Sequence, residues 1–148
     1  MTTRRGTMNN RIVARYKDGR LIKGISHDIQ PTRPAFHIRT EDGKSLKINM
    51  AELKAVFYVR TLEGNSTHNE NLTPDPEDAR SRGSSVVVLK FLDGENMVGL
   101  ANALPGNKPY FFVVPVDPHS NNVRILVNQA ALISVEMPNG EQALSRAS

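Results

Sequence analysis

Neither cysteine nor tryptophan occurs among the 148 residues, and aromatic residues make up only 5% of the chain. The first absence removes disulfides, thiol nucleophiles and thiolate metal sites together. With 39% hydrophobic residues, the chain has material for small cores and little for one large one. No apolar run approaches the roughly 20 residues that a membrane-spanning helix needs. Arg4 and Arg5 near the start have no apolar stretch behind them, so this end does not read as a signal peptide. A cytoplasmic protein without membrane insertion is the resulting expectation. The N-x-[ST] matches at Asn65 and Asn71 carry no weight in that setting.

Catalytic signatures are also missing. His27, His37, His68 and His119 form no H-E-x-x-H or regular metal-ligand spacing. The segment Gly19-Arg20-Leu21-Ile22-Lys23-Gly24 lacks the glycine spacing and terminal Lys-Ser/Thr of a phosphate-binding loop, and no G-x-S-x-G elbow is present. The sequence therefore predicts no catalytic residue, no metal site and no cofactor, and a protein that is not an enzyme.

What the chain does contain is a repeat. Laying Arg15-Tyr16-Lys17-Asp18-Gly19-Arg20 over Lys90-Phe91-Leu92-Asp93-Gly94-Glu95 aligns Asp18 and Gly19 with Asp93 and Gly94. The same offset puts Gly24 on Gly99, Pro34 on Pro109 and Phe36 on Phe111. A four-residue insertion within Val116 to Arg124 then aligns Ile48 with Val127, Asn49 with Asn128, Leu53 with Leu132 and Val56 with Val135. One offset and one loop insertion account for the series, which points to duplication.

Each copy opens on a hairpin signature, an Asp-Gly turn between apolar or alternating runs. Gly24 and Gly99 interrupt the return strand, which predicts a bend or close backbone packing there. A proline-bearing loop ends at Pro34 or Pro109 and leads into a third strand, then a turn and a fourth. Met50-Ala51-Glu52 and Gln129-Ala130-Ala131 suit one helical or 3₁₀ turn, with Asn49 and Asn128 placed to cap it. A fifth strand completes each copy.

The fold expected is all-β: two tandem small five-stranded SH3-like or Sm-like barrels, packed together in one version of the reading. The boundaries are residues 10–61 for the first barrel, 62–84 for a polar linker, 85–138 for the second barrel and 139–148 for a flexible tail. A split barrel, or a pair of sheets packed across both copies, stays open as an alternative.

The pattern F/Y-x-D-G, then a glycine, a proline-containing loop, an aromatic strand and a short Ala/Leu stretch resembles a bacterial family of small β-barrel domains. It is carried by Tyr16-Lys17-Asp18-Gly19, Gly24, Pro31, Arg33-Pro34, Phe36 and Leu53 to Val59, and again by Phe91-Leu92-Asp93-Gly94, Gly99, Pro109 and Phe111. The resemblance implies an accessory or regulatory role and assigns no reaction. The second proline loop departs from the first, lacking the equivalents of Arg33 and of His27-Asp28.

Function then rests on surfaces. The reading preferred is a non-enzymatic interaction or regulatory adaptor module of a bacterial cytoplasmic protein, partnered by another protein or by itself. Tyr58, Tyr110, His119, Asn121, Asn122 and Arg124 are the candidate protein-interface residues. The alternative is RNA or DNA binding by the basic face of the first repeat, where Arg11, Arg15, Lys17, Arg20, Lys23, Arg33 and Arg39 concentrate positive charge. A third possibility is a sensor for a nucleotide-like anion, held by Arg33 and nearby loop donors. Asp18, Gly19, Gly24, Asp93, Gly94 and Gly99 are assigned structural turn roles.

Overall fold

The computed structural model describes residues 10–64, 68–73, 75, 77–81, 83–102, 108–137 and 142–145. Its strands are β1 (Asn10–Tyr16), β2 (Leu21–Ser26), β3 (Ala35–Arg39), β4 (Ser45–Asn49), β5 (Leu53–Val59), β6 (Ser85–Phe91), β7 (Asn96–Ala101), β8 (Tyr110–Pro115), β9 (Asn122–Asn128), β10 (Leu132–Glu136) and β11 (Gln142–Ser145). All described pairings are antiparallel. They give one open sheet in the order β11-β10-β6-β7-β8-β9-β5-β1-β2-β3-β4. The class is therefore all-β. The two halves run through the same order, 5-1-2-3-4 and 10-6-7-8-9. The halves are joined in this sheet, because β9 of the second half hydrogen-bonds to β5 of the first.

Local structure follows the sequence closely. Gly19 and Gly94 take φ of 96° and 94° in the two Asp-Gly turns, a region that side chains with a Cβ rarely enter. Asp18 accepts from the Arg20 amide and Asp93 from the Glu95 amide, closing both turns alike. Gly24 has ordinary backbone angles and serves by closeness instead. A Cβ there would overlap the Arg39 carbonyl oxygen and stand 2.5 Å from Ile38 Cγ2. Its counterpart Gly99 is looser, with Val113 Cβ and the Val114 oxygen at 3.2 Å. The 3₁₀ turns fall at Met50–Glu52 and Gln129–Ala131, and Asn128 caps the second by accepting from Ala130 N–H. Asn49 makes no such side-chain bond.

The core is double, and β5 belongs to both parts. Val56 and Tyr58 face a cluster with Ile12, Ala14, Phe36, Ile38 and Ile48. Ala55, Phe57 and Val59 face the other, with Leu89, Phe91, Val113, Val127 and Leu132. Every residue of β5 is buried as a result. Strand β9 is shared in the same way: Leu126 reaches into the first cluster while Ile125 and Val127 lie in the second.

The ends of the sheet differ chemically from this seam. The repeat equates Leu126 with Lys47, Phe112 with His37 and Phe57 with Glu136, so apolar residues at the seam become polar or charged at the outer positions. Leu46 on β4 is 36% exposed, whereas its counterpart Ile125 beside β5 is 4% exposed. Lysine on an open edge discourages pairing with another strand, and polar terminal faces are what finite repeat arrays require.

Two contacts describe the connecting segments. The described parts of the 62–84 segment are tied to the folded body: Arg80 donates to the carbonyls of Pro115 and Val116, and Lys23 donates to the Leu62 carbonyl. Of the segment expected to be a flexible tail, residues 142–145 form β11 along β10. Among its described residues, the polar linker contains a 3₁₀ turn, Ala79–Ser81.

Candidate functional site

Strand β8 reads Tyr110-Phe111-Phe112-Val113-Val114, apolar on both faces. Phe111 and Val113 fill the second core. Tyr110, Phe112 and Val114 alternate onto the opposite face and stay half-buried. That face is the floor of a cleft of about 1080 Å3. Pro31 to Pro34, the loop before β3, forms one wall; Arg80 and Ser84 of the connecting segment, with Leu100 and Asn102 at the end of β7, form another. Both repeats therefore build it. The volume lies just above the roughly 300–1,000 Å3 of ligand sites, and an apolar lining with a few placed polar groups is their usual chemistry.

Three cations line the cleft, Arg33, Arg80 and Lys108, and no carboxylate is among its described lining residues. Arg80 is already committed, since its guanidinium also pairs with Asp78 at 2.7 Å. Arg33 and Lys108 form no ion pair among the described residues. Among the described residues no carboxylate answers their charge.

The interface residues anticipated from the sequence are placed differently from one another. Tyr110 lies in the cleft. Tyr58 is buried at the seam, where its ring meets Phe112 edge to face and Arg124 lies 4.4 Å from both ring centroids. Burial raises the Tyr58 pKa, against the pull of the Arg124 charge. Asn121 accepts from Thr61 N–H and donates to the Thr61 carbonyl, holding the end of β5 to the loop before β9. Asn122 N–H donates to Ser120 Oγ, and His119 N–H donates to Asp117.

Asp117 is the centre of this clasp. Its Oδ1 accepts from the His119 amide, and its Oδ2 accepts from the Asn71 amide and lies 2.7 Å from His68 Nε2. The amides of Asn71 and His119 and the His68 ring hold its carboxyl down to a pKa of about 2. Glu70 approaches the same histidine at 3.9 Å, so three potential ligand groups converge. Both Asp117 oxygens accept hydrogen bonds from the protein, and these tie the loop before β9 to the polar segment as a clasp.

The basic candidates separate into groups. Arg11, Lys23 and Arg39 share the outer face of β1 to β3, where Arg11 and Arg39 flank Ile25 in one cross-strand row. Lys47 joins them beside His37. Arg15 pairs with Glu95 at 3.5 Å and Arg20 with Asp18 at 2.9 Å. Lys17 is exposed in the first turn, and Arg33 belongs to the cleft. His37 Nδ1 lies 2.8 Å from Asp28, whose lowered pKa survives the opposing effect of burial because the His37 ring and amide and the Ser26 hydroxyl bond to it.

Sequence reasoning missed Leu100, Lys108, Phe112, Val114 and Arg80 in the cleft. The available signal was the two-sided apolar character of β8, more than a strand covered on one face needs. Among the described residues no helix is long and apolar enough to cross a membrane. Residues 8–138 match the model of a family of unknown function, DUF6982. None of the curated proteins and none of the solved structures matches the chain.

Proposed function

Since the chain belongs to the DUF6982 family, a family of unknown function, its surfaces have to supply a reading, and we propose a non-enzymatic interaction module, an adaptor that holds a segment of another protein in the cleft between its repeats. The carrying observation is that two copies of one fold jointly build an apolar, cation-lined cleft. We read each five-strand set as a relative of SH3-like or Sm-like barrels, on the strength of the order 5-1-2-3-4 repeated in both halves. A bacterial cytoplasmic setting goes with this reading.

The non-enzymatic reading is supported by where three carboxylates go. Asp18 and Asp93 bond to their own turns, and Asp117 to its clasp. A photocrosslinking amino acid at Tyr110, in cells, tests the proposal. Defined protein adducts are expected at Tyr110 and not at exposed Leu92, which lies outside the cleft; no adduct at Tyr110, or the same adducts at both sites, overturns it.

A second reading rests on a separate observation. Arg11, Arg39 and Lys47 on the outer face of the first repeat make no ion pair among the described residues. Such a face attracts the backbone of RNA or DNA.

A further inference from the structure

The cleft carries information about the kind of segment it takes, and this step rests on the cleft being the working surface. Tyr110, Phe112 and Val114 succeed one another at every second residue of β8. Side chains on one face of a strand recur about every 6.6–6.8 Å. An extended segment laid along this face presents its own alternate side chains at the same interval. Apolar side chains on one side of such a segment match the apolar floor.

Its other side chains point to the opposite side, away from the floor. In the lining, Arg33 and Lys108 are the cations without an ion-pair partner among the described residues, and no carboxylate of the described lining competes for them. A basic segment is repelled by both groups, while a neutral one makes no ion pair with either. We propose that the cleft recognises an extended protein segment in which apolar side chains alternate with carboxylates, the apolar set on Tyr110, Phe112 and Val114 and the carboxylates on Arg33 and Lys108.

The probe is a blocked six-residue peptide of alternating leucine and aspartate, titrated by calorimetry against the full chain. Its controls carry asparagine or lysine in place of aspartate. Saturable one-to-one binding is expected for the aspartate peptide, at least tenfold weaker binding for the asparagine peptide, and none for the lysine peptide. The double variant Arg33→Glu, Lys108→Glu should exchange the preference, losing the aspartate peptide and gaining the lysine peptide.

Both substitutions lie on the protein surface, and circular dichroism of the variant verifies that it folds. If the double variant does not fold, Arg33→Gln replaces it, with at least a threefold loss for the aspartate peptide expected. Equal binding of aspartate and asparagine peptides, no binding of any peptide, or an aspartate affinity untouched by the substitutions overturns the proposal. A failed peptide preference with specific adducts at Tyr110 sinks this segment chemistry alone. Peptide binding without such adducts sinks the adaptor reading and leaves the chemistry standing.

Discussion

The rings of Tyr58 and Phe112 meet edge to face, centroids 5.7 Å apart and planes at 60°, across the junction of the two repeats. Tyr58 stands on β5 of the first repeat and Phe112 on β8 of the second, and Arg124 lies against both rings. Arranged this way, an aromatic pair adds about 0.5–1.5 kcal/mol beyond the area it buries. Lys54 reinforces the junction from the other face of β5. Its side chain is 4% exposed, pairs with Asp93 at 2.7 Å and with Glu95, and lies 4.6 Å from the Phe91 ring centroid.

A shared strand means that neither repeat can lose its structure without uncovering the core of the other. Calorimetric unfolding should therefore give one cooperative transition. Tyr58→Ala should lower stability by about 3 kcal/mol, in the range for deleting a buried aromatic ring, and still unfold in one step. Two resolved transitions in the unaltered chain would mean that the repeats are energetically independent.

The equivalent glycines offer a graded test of packing. Gly24→Ala forces a Cβ onto the backbone of Arg39, which a side-chain rotation cannot relieve. Gly99→Ala meets Val113 and the Val114 oxygen at 3.2 Å, where a small shift suffices. Overpacking costs about 1–3 kcal/mol, so Gly24→Ala should fall near the top of that range and Gly99→Ala near the bottom. Denaturant midpoints measure both, and equal losses would contradict the difference in room.

Much of this was legible in the sequence because hairpins are local. Asp-Gly turns, alternating strands and the offset between copies predict eight strands of the two repeats and both 3₁₀ turns without long-range information, and β5 and its counterpart β10 complete the set of ten. How the copies meet depends on contacts between Leu53–Val59 and a strand more than sixty residues away. The clue was a fifth strand apolar on both faces in the first copy, while its counterpart carries Ser134 and Glu136. The cleft was harder to foresee: Arg33 comes from a loop of one copy, Lys108 from a loop of the other, and only the folded seam brings them together. Likewise His68 and Asp117 have no sequence pattern in common; one sits in the polar segment and one in the inserted loop.

Acid should loosen the Asp117 clasp. The folded carboxyl has a pKa of about 2, below the roughly 3.9 of an unfolded aspartate. Its contribution to stability is then complete above the unfolded value and is lost as pH falls from about 4 through about 2. Asp117→Asn should be less stable than the unaltered chain at neutral pH, with the gap narrowing over that window. Thermal midpoints between pH 2 and pH 7 follow this directly, and a gap constant down to pH 2 would show that the carboxylate's charge contributes nothing.

The outer basic face makes the last prediction, and salt is the variable that decides it. Arg11 and Arg39 flank Ile25, placing them about 10 Å apart at ordinary strand spacing, with Lys23 and Lys47 on the same face. Each phosphate neutralised by such a group releases counterions, giving a slope of log affinity against log salt of about −0.7 per contact for single strands and −0.9 for duplex DNA. If this face binds nucleic acid, fluorescence polarisation at low salt should register both RNA and DNA probes without sequence preference. Replacing Arg11, Arg39 and Lys47 by glutamine should reduce the slope by about two to three units while leaving the peptide preference of the cleft unchanged, because none of the three lines it. No polarisation change at low salt, or a slope that survives the triple replacement, would assign these cations to solvation of the outer sheet.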